Sequence, residues 1–418
     1  VIAMWRVLYS LLLYVLLPLI VLRLLWRARS NPEYLRRWDE RFAVGQPLPE
    51  AERIWIHAVS VGEVVAAVPL VRALQARFPD RRILVTTTTP TGSAELRRRL
   101  GEGVDHRYLP LDLPHLMGAL LRAVRPRLLM VMETELWPNL FAACRKQGVP
   151  VMLVNGRLSA RSFQGYRRIR PLVAGALGVV TALAARSEED AERFIGLGAR
   201  PERVRVTGNL KYDLELPAGG EGIRPLPRPV WIAASTHEGE DERLIAVQGR
   251  ILERVPDALL ILVPRHPERF EAVAELCRAA GMPPARRSRG EQPGPDTRIW
   301  LGDTMGELPE LFPLARVAFM GGSLVPTGGH NPLEAAAHGL PVLTGPQVFN
   351  FREVFDALVQ AGGAEVVDDD ASLAGRLMAL LTDEPERLRR GEAAARVIEE
   401  NRGAVVRVVD WVGKVVSG

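Results

Sequence analysis

Lysine is almost absent from this 418-residue chain: only Lys146, Lys211 and Lys414 occur among 54 basic residues, and arginine supplies the rest. Against 49 acidic residues the net charge is only +5, and aromatics are 6%. A basic charge so evenly spread lacks the clustered, aromatic-laced face that nucleic acid requires, so no nucleic-acid partner is expected. Cysteine is scarce as well. Cys144 and Cys277 stand far apart with no Cys-x-x-Cys or Cys/His spacing, which excludes zinc ribbons and a secreted disulfide framework. No Gly-x-Gly-x-x-Gly turn follows a first strand and no Gly-x-x-x-x-Gly-Lys-Ser/Thr occurs, which disfavours dinucleotide redox enzymes and P-loop hydrolases. Asp368-Asp369-Asp370 stands apart from other carboxylates and reads as a turn before a helix; no metal site and no cofactor are expected.

Charge is missing altogether from Val7 to Leu22, an apolar run broken only by Ser10 and Pro18 and followed by Arg23, Arg27 and Arg29. As a helix this run reaches about 24 Å, short of the roughly 30 Å hydrocarbon core unless Ile2 to Trp26 takes part with its arginines snorkelling. Residues 1–30 therefore read as a membrane anchor that either spans or lies shallow. The arginines crowd its downstream side, which argues against a cleaved signal peptide and keeps that flank, and the body of the protein, on the cytoplasmic face of the membrane.

Beyond the anchor, short β-rich runs alternate with helical periodicity. Ile54–Val59, Ile83–Thr87, Leu128–Met132, Val151–Val154, Val179–Leu183 and Val204–Val206 read as strands, with helices over 64–77, 93–100, 113–124 and 187–196. The proline- and glycine-rich stretch 216–229 fits neither element and serves as a linker. A second alternating series starts at Val230. The expected organisation is an anchor (1–30), a doubly wound α/β domain (31–215), the linker (216–229) and a second such domain (230–418), whose last helix is free to pack back on the first. Two such halves facing a cleft would place chemistry in the loops at the carboxyl ends of their strands.

Those loops carry polar motifs. Ser60-Val61-Gly62-Glu63 follows the first strand and puts a carboxylate at a helix N-terminus, a position expected to lower its pKa. Glu133-Thr134-Glu135 follows the strand Leu128–Met132; two acids spaced by two point to opposite sides if extended, so only one should face the cleft. Gly208-Asn209-Leu210-Lys211 ends the first half. The segment from Asn155 to Arg170 has five arginines, among them Arg157 and Arg161, and no acid, suiting either acceptor phosphates or a solvated helix. In the second half, Val263-Pro264-Arg265-His266 delivers an arginine to a proline-locked loop, and Gly302-Asp303-Thr304-Met305-Gly306-Glu307 is a weaker strand-end loop. Gly321-Gly322-Ser323 through Gly328-Gly329-His330-Asn331-Pro332-Leu333-Glu334 reads as an anion cradle. Its glycines let backbone N–H groups approach a phosphate, Asn331 caps a helix that Pro332 begins, and Glu334 can accept from a ribose diol.

Six of these motifs occur in one order: His-Ala-Val-Ser-Val-Gly-Glu at 57–63, Glu-Thr-Glu-Leu-Trp-Pro-Asn at 133–139, Asn-Gly-Arg-Leu-Ser-Ala-Arg at 155–161, Gly-Asn-Leu-Lys at 208–211, Val-Pro-Arg-His at 263–266 and Gly-Gly-His-Asn-Pro-Leu-Glu at 328–334. Nearly the whole chain thereby resembles the 3-deoxy-D-manno-octulosonic acid (Kdo) transferases, membrane-associated glycosyltransferases of lipopolysaccharide synthesis. The resemblance implies a GT-B architecture, CMP-Kdo as donor, a lipid A precursor (lipid IVA) as acceptor, and metal-independent inversion at the anomeric carbon by a monomer. It also implies roles. Glu63 matches the general base, and Glu133 and Lys211 match groups that stabilise the transition state. Pro264, Arg265 and His266, Met305, Gly306 and Glu307, and Asn331, Pro332, Leu333 and Glu334 match nucleotide-binding elements. Ser60, Gly62, Arg157 and Arg161 would meet the acceptor. The residues alone leave open a UDP-sugar transferase, a nucleotide-sugar epimerase and a membrane-anchored nucleotide-binding scaffold.

Overall fold

The computed structural model describes residues 2–44, 48–214 and 226–417, so most of the expected linker, 216–225, lies outside the described residues. The chain divides into two compact units, one comprising Val1–Asp213 with Arg402–Gly418, the other Leu214–Asn401. Each is built on a seven-stranded parallel sheet.

In the first unit the strands are β1 (Arg53–His57), β2 (Arg82–Thr87), β3 (Asp105–Tyr108), β4 (Pro126–Met132), β5 (Val151–Gly156), β6 (Ala182–Ala185) and β7 (Val204–Val206). Their order across the sheet is β3-β2-β1-β4-β5-β6-β7. Both faces are covered, and the period-2 geometry of a strand sorts the side chains between them. Ile54, Ile56, Leu128, Met130 and Met132 pack on the side of the helix Val61–Arg77, whereas Trp55, Leu129 and Val131 pack on the side of the helices Pro114–Val124 and Pro138–Gln147. The short strand β3 has no apolar run to announce it: Asp-His-Arg-Tyr at a sheet edge is held by pairing with β2.

The second unit contains β8 (Val230–Thr236), β9 (Leu259–Pro264), β10 (Ala285–Arg286), β11 (Ile299–Leu301), β12 (Val317–Met320), β13 (Val342–Thr344) and β14 (Ala364–Val366), ordered β10-β11-β9-β8-β12-β13-β14. In each sheet the chain reverses its direction of winding once, between β1 and β4 and between β8 and β12. Loops at the carboxyl ends of strands flanking such a reversal diverge and leave a crevice for a ligand. Residues 58–63, 133–135, 235–237 and 321–323 all lie there.

The last helix, Ala404–Ser417, belongs to the first unit, the packing back that the sequence left open, and the second unit ends at Asn401. The cause is its apolar face: Val405, Val408, Val409 and Val412 join Ile54, Leu70, Val71 and Leu74 in one buried cluster. Its N-terminus is held by Asp213, whose carboxylate accepts the N–H groups of Gly403 (2.6 Å) and Val405 (2.7 Å), and Arg407 Nε donates to the Thr207 carbonyl (2.8 Å). These bonds fix the chain just after Lys211. Replacing Asp213 by alanine leaves two helix-start N–H groups unpaired and should cost about 1–3 kcal/mol, read as a lower unfolding midpoint.

The apolar amino terminus forms a single helix, Ile2–Ser30, with Pro18 inside it. An 18-residue stretch within Ile2–Arg29 has mean hydropathy 2.3, and this is, among the described residues, the one helix long and apolar enough to cross a membrane. One side docks on the first unit: Tyr9 donates to Asp112 (3.1 Å), Ser10 donates to Asn139 Oδ1 (3.0 Å), and Tyr14 stacks on His115. The other side is open, with Val15 74% and Leu19 61% exposed, so this is not a buried core helix.

Candidate active site

Three strand-end residues of the two units leave the ordinary backbone regions: Glu133, Asn155 and Ser235 have φ of 54°, 57° and 60°. Left-handed geometry in side-chain-bearing residues costs energy and collects where a side chain must be aimed. The parallel registers of β5 with β6 and of β8 with β9 slip at the latter two positions, between Leu153 and Gly156 and between Ala234 and Thr236.

In the first unit, Ser60 caps the helix Val61–Arg77. Its Oγ accepts the Glu63 N–H (3.3 Å) and its hydroxyl donates to Glu63 Oε1 (2.9 Å), while Val59 N–H donates to Oε2 (2.9 Å). The carboxylate is thus gripped at both oxygens in a residue only 8% exposed. Burial pushes its pKa up to about 7; the charges of Glu133 and Glu135 push the same way, and the Val59 N–H and Ser60 hydroxyl pull back. The lowering expected from the helix N-terminus is overcome by desolvation and by two like charges. Gly62 and Val61, the turn's outer residues, are exposed beside it.

Glu133 is the first residue past β4. Its N–H donates to the Val154 carbonyl (2.8 Å), and its left-handed backbone breaks the extended alternation that would send Glu133 and Glu135 to opposite sides. Both carboxylates act on Glu63. Lys211 Nζ lies 3.9 Å from Glu133 Oε1. The lysine is placed by two asparagines: Asn155 Oδ1 accepts the Leu210 N–H (3.1 Å) and Asn209 Oδ1 accepts the Lys211 N–H (3.1 Å). Asn155 is fully buried, and its role as the link between β5 and the lysine turn was legible in sequence only as part of a motif. Arg157 is exposed, and its carbonyl accepts the Thr134 hydroxyl, tying the 133–135 loop to the 155–161 loop. Arg161 sits exposed in the helix Ala160–Arg168, which has no buried residue, so the solvated-helix alternative describes its surroundings.

In the second unit, Pro264 is buried at the end of β9 and Arg265 projects to solvent, its N–H donating to the Thr236 carbonyl (3.0 Å). His266 meets His237 edge to face at 5.2 Å between ring centres, and His237 lies edge to edge with His330, ring centres 5.0 Å apart and planes 12° apart, with Nε2 atoms 2.7 Å apart. One of these two rings must carry its proton on Nε2 and the other must accept. Burial, then the neighbouring cations, hold His330 down to about 4, and burial lowers His237, so the pair is neutral at physiological pH. His237, placed by the Ser235 kink, escaped the sequence reading because a lone histidine after a strand carries no pattern.

Glu240 also escaped it, and it changes the reading of the glycine loop. Fully buried, Glu240 accepts the N–H groups of His237 (2.9 Å), Gly322 (2.6 Å), Ser323 (3.0 Å) and Leu324 (2.9 Å). The anion cradled by the first glycine pair is therefore the protein's own carboxylate. Gly321 is required for the close approach: a Cβ there would sit 2.6 Å from the Ser235 carbonyl oxygen. Farther along, the helix is Leu333–Ala337, starting one residue later than expected; Pro332 occupies the cap position and Asn331 Oδ1 accepts the Leu333 N–H (3.2 Å). Five residues align few peptide dipoles, so little of the positive charge expected there arises from the helix. Leu333 is buried, and Asn331 and Glu334 are half-buried next to His330 in the chain.

Met305 is exposed and Gly306 has φ 85°, while Glu307 accepts from Thr304 (2.7 Å) and pairs with Arg287, bonds that hold its carboxyl below the usual range. Among the described contacts none joins this loop to the histidines. Asp369 caps the helix Asp370–Thr382 by accepting the Ser372 N–H (2.7 Å), and Asp370 pairs with Arg243, so the aspartate run is a helix start. Among the described residues no three His, Cys, Asp or Glu side chains form a metal-holding group.

Residues 36–214 match the model of the 3-deoxy-D-manno-octulosonic-acid transferase (kdotransferase) family, and residues 290–397 match that of glycosyl transferases group 1. The 3-deoxy-D-manno-octulosonic acid transferase of Haemophilus influenzae is 43% identical over 97% of this chain and 98% of its own. The chain belongs to the Kdo transferase family. The Bordetella pertussis Kdo transferase is 38% identical over 98% of this chain and all of its own. Solved structures related by fold alone include the UDP-GlcNAc 2-epimerase of Neisseria meningitidis (13% identity, TM-score 0.58, 87% of this chain and 100% of that one). The glycosyltransferase of kitacinnamycin is another (14% identity, TM-score 0.55, 88% and 100%). The Kdo transferase therefore has the GT-B fold.

Two outcomes follow from the buried acids. Because the folded state raises the Glu63 pKa, the group's contribution to stability is largest below the ordinary carboxylate range and is lost as pH rises through about 7. Glu63→Gln should accordingly be more stable than the parent at alkaline pH, by on the order of 2 kcal/mol, with the gap closing toward acid in a pH series of thermal melts. Glu240→Ala strands four N–H groups and should cost at least about 3 kcal/mol in urea unfolding.

Proposed function

We propose that this Kdo transferase moves Kdo from CMP-Kdo to a lipid A precursor, lipid IVA, with inversion and without a metal ion, in lipopolysaccharide biosynthesis. The observation that carries the reading is Glu63, a carboxylate whose pKa of about 7 lets it take a proton at neutral pH. A base of this strength removes the acceptor hydroxyl's proton as the new bond forms, which ordinarily contributes about 10²- to 10⁴-fold. The proton goes to Glu63, the hydroxyl oxygen attacks the anomeric carbon, and the bond to the CMP phosphate breaks with its electrons going to the phosphate.

Lys211, beside Glu133, supplies positive charge close to the base and keeps Glu133 from raising it further. On the donor side, the phosphate that gains charge is met by Arg265, with the neutral His237–His330 pair donating or accepting at its edge and Asn331 and Glu334 following in the chain. Side-chain cations in place of a metal support the metal-independent reading. The exposed apolar side of the helix Ile2–Ser30 supports attachment to the inner membrane, and its docked side supports a helix lying along the protein at the bilayer surface, with the body of the monomer on the cytoplasmic side.

The test is Glu63→Gln assayed with CMP-Kdo generated in situ and a tetraacylated lipid A precursor, with the product mass measured. Transfer should fall by at least about 10²-fold while CMP still raises the melting temperature. Near-normal turnover would remove Glu63 from its role, and protection by UDP instead of CMP would favour a UDP-sugar enzyme. In the parent, log rate should climb with pH and level off near pH 7, the deprotonated fraction of Glu63 setting the limb.

A further inference from the structure

Between the first helix and the strand-end loops of the first unit lies an open cavity of about 450 Å³. One wall is Leu13, Leu17, Ile20 and Leu24 from the helix; the opposite wall is Leu109 to Leu113. Arg23 and Arg27, both exposed, and the buried Arg41 also line it. Val59, whose N–H holds Glu63, and Glu135, whose charge acts on Glu63, also line it, so the cavity runs up to the base.

Arg41 is the unusual member. It is 6% exposed, lies over the Tyr108 ring at 4.5 Å, and donates through Nη1 to the Thr88 carbonyl (3.1 Å), yet its Nε and Nη2 are buried without a hydrogen-bond partner. A buried guanidinium left with open donors is costly unless an anion meets it. The nearby acids are committed. Glu40 accepts from Arg37 (2.7 and 2.8 Å) and from Tyr108 N–H (2.9 Å), and Asp112 accepts from Tyr9, Asn139 N–H (3.1 Å) and Leu140 N–H (2.8 Å). Glu135 is the remaining carboxylate of the wall and lies on the side of Glu63.

We propose that this cavity seats the acceptor as a phosphorylated, acylated glycolipid, its phosphate on Arg23, Arg27 and Arg41 and an acyl chain along the inner side of the first helix. The inference rests on the acceptor class proposed above. The helix's outer side is lipid-facing in that reading, so an acyl chain reaches the inner side by passing around it without crossing water. Guanidinium forks suit phosphate, and apolar walls of this size accommodate a chain.

The full chain in detergent micelles, given a bisphosphorylated tetraacyl disaccharide with a diazirine at one acyl end, should cross-link to Leu13, Leu17, Ile20 or Leu24 and to residues 109–113 on irradiation. Labels confined to the outer positions Leu11, Val15, Leu19 and Leu22 would overturn the proposal. So would equal labelling by a diazirine phosphatidylglycerol that the disaccharide fails to displace, the mark of a bulk-lipid site. Cross-linking needs no turnover, so an absence of Kdo transfer would count against the reaction and leave this arm decisive. In kinetics, the double variant R23A/R27A should raise KM about tenfold for the phosphorylated acceptor but not for its dephosphorylated form. Leu17→Trp, which fills the cavity, should raise KM for the tetraacyl acceptor and not for a deacylated one. Unchanged KM in both variants would refute the assignment.

Discussion

In the proposed reaction, the chemistry of this Kdo transferase depends on a carboxyl group held where water is scarce. Two hydrogen bonds from Val59 and Ser60 favour its ionised form, while burial and two neighbouring acids favour the protonated form, and the balance falls near neutrality. Neither side could be dropped. Without the bonds the group would stay protonated at working pH; without the desolvation it would be an ordinary carboxylate, too weak a base for a sugar hydroxyl. The surrounding structure serves that balance: the winding reversal between β1 and β4 opens the crevice, the kink at Glu133 brings its charge to bear, and Asn155 sets the lysine that tempers it.

The second unit solves a different problem. A glycine loop after a strand ordinarily offers its N–H groups to a ligand's phosphate, but here Glu240 satisfies Gly322, Ser323 and Leu324 from within. The loop is thereby rigid without a ligand. In the proposed donor site, charge for a nucleotide then has to come from side chains, and the histidine pair beside Arg265 is held uncharged by its own burial. Neutral imidazoles can offer a donor at one edge and an acceptor at another, which discriminates among oxygens better than a uniform field of N–H groups.

Much of the fold was legible because apolar runs in strands buried on both faces are hard to mistake: β1, β2, β4 and β5 fall close to where periodicity put them, and β8 starts at the expected Val230. The edge strand β3 was not, since Asp105 to Tyr108 have polar side chains and owe their conformation to pairing with β2. The sheet ends could be located, but not the local twists at Glu133, Asn155 and Ser235, because non-glycine residues give no warning of a positive φ. The sign of the Glu63 shift could not be read either. Sequence shows a helix N-terminus, whereas the depth of burial and the approach of Glu133 and Glu135 exist only after folding. Glu240 illustrates the converse: an acid eighty-odd residues from its partners fills a nest that the local sequence had offered to a substrate.

The first helix is a structural wall as well as an exposed apolar surface. Its tyrosine and serine side chains meet Asp112 and Asn139, and Asp112 in turn caps the helix Pro138–Gln147 through the Asn139 and Leu140 N–H groups. Trimming residues 2–30 would therefore expose an acidic cap and a leucine-lined trough to water, and the shortened enzyme would lose one wall of that trough along with the apolar surface the helix presents.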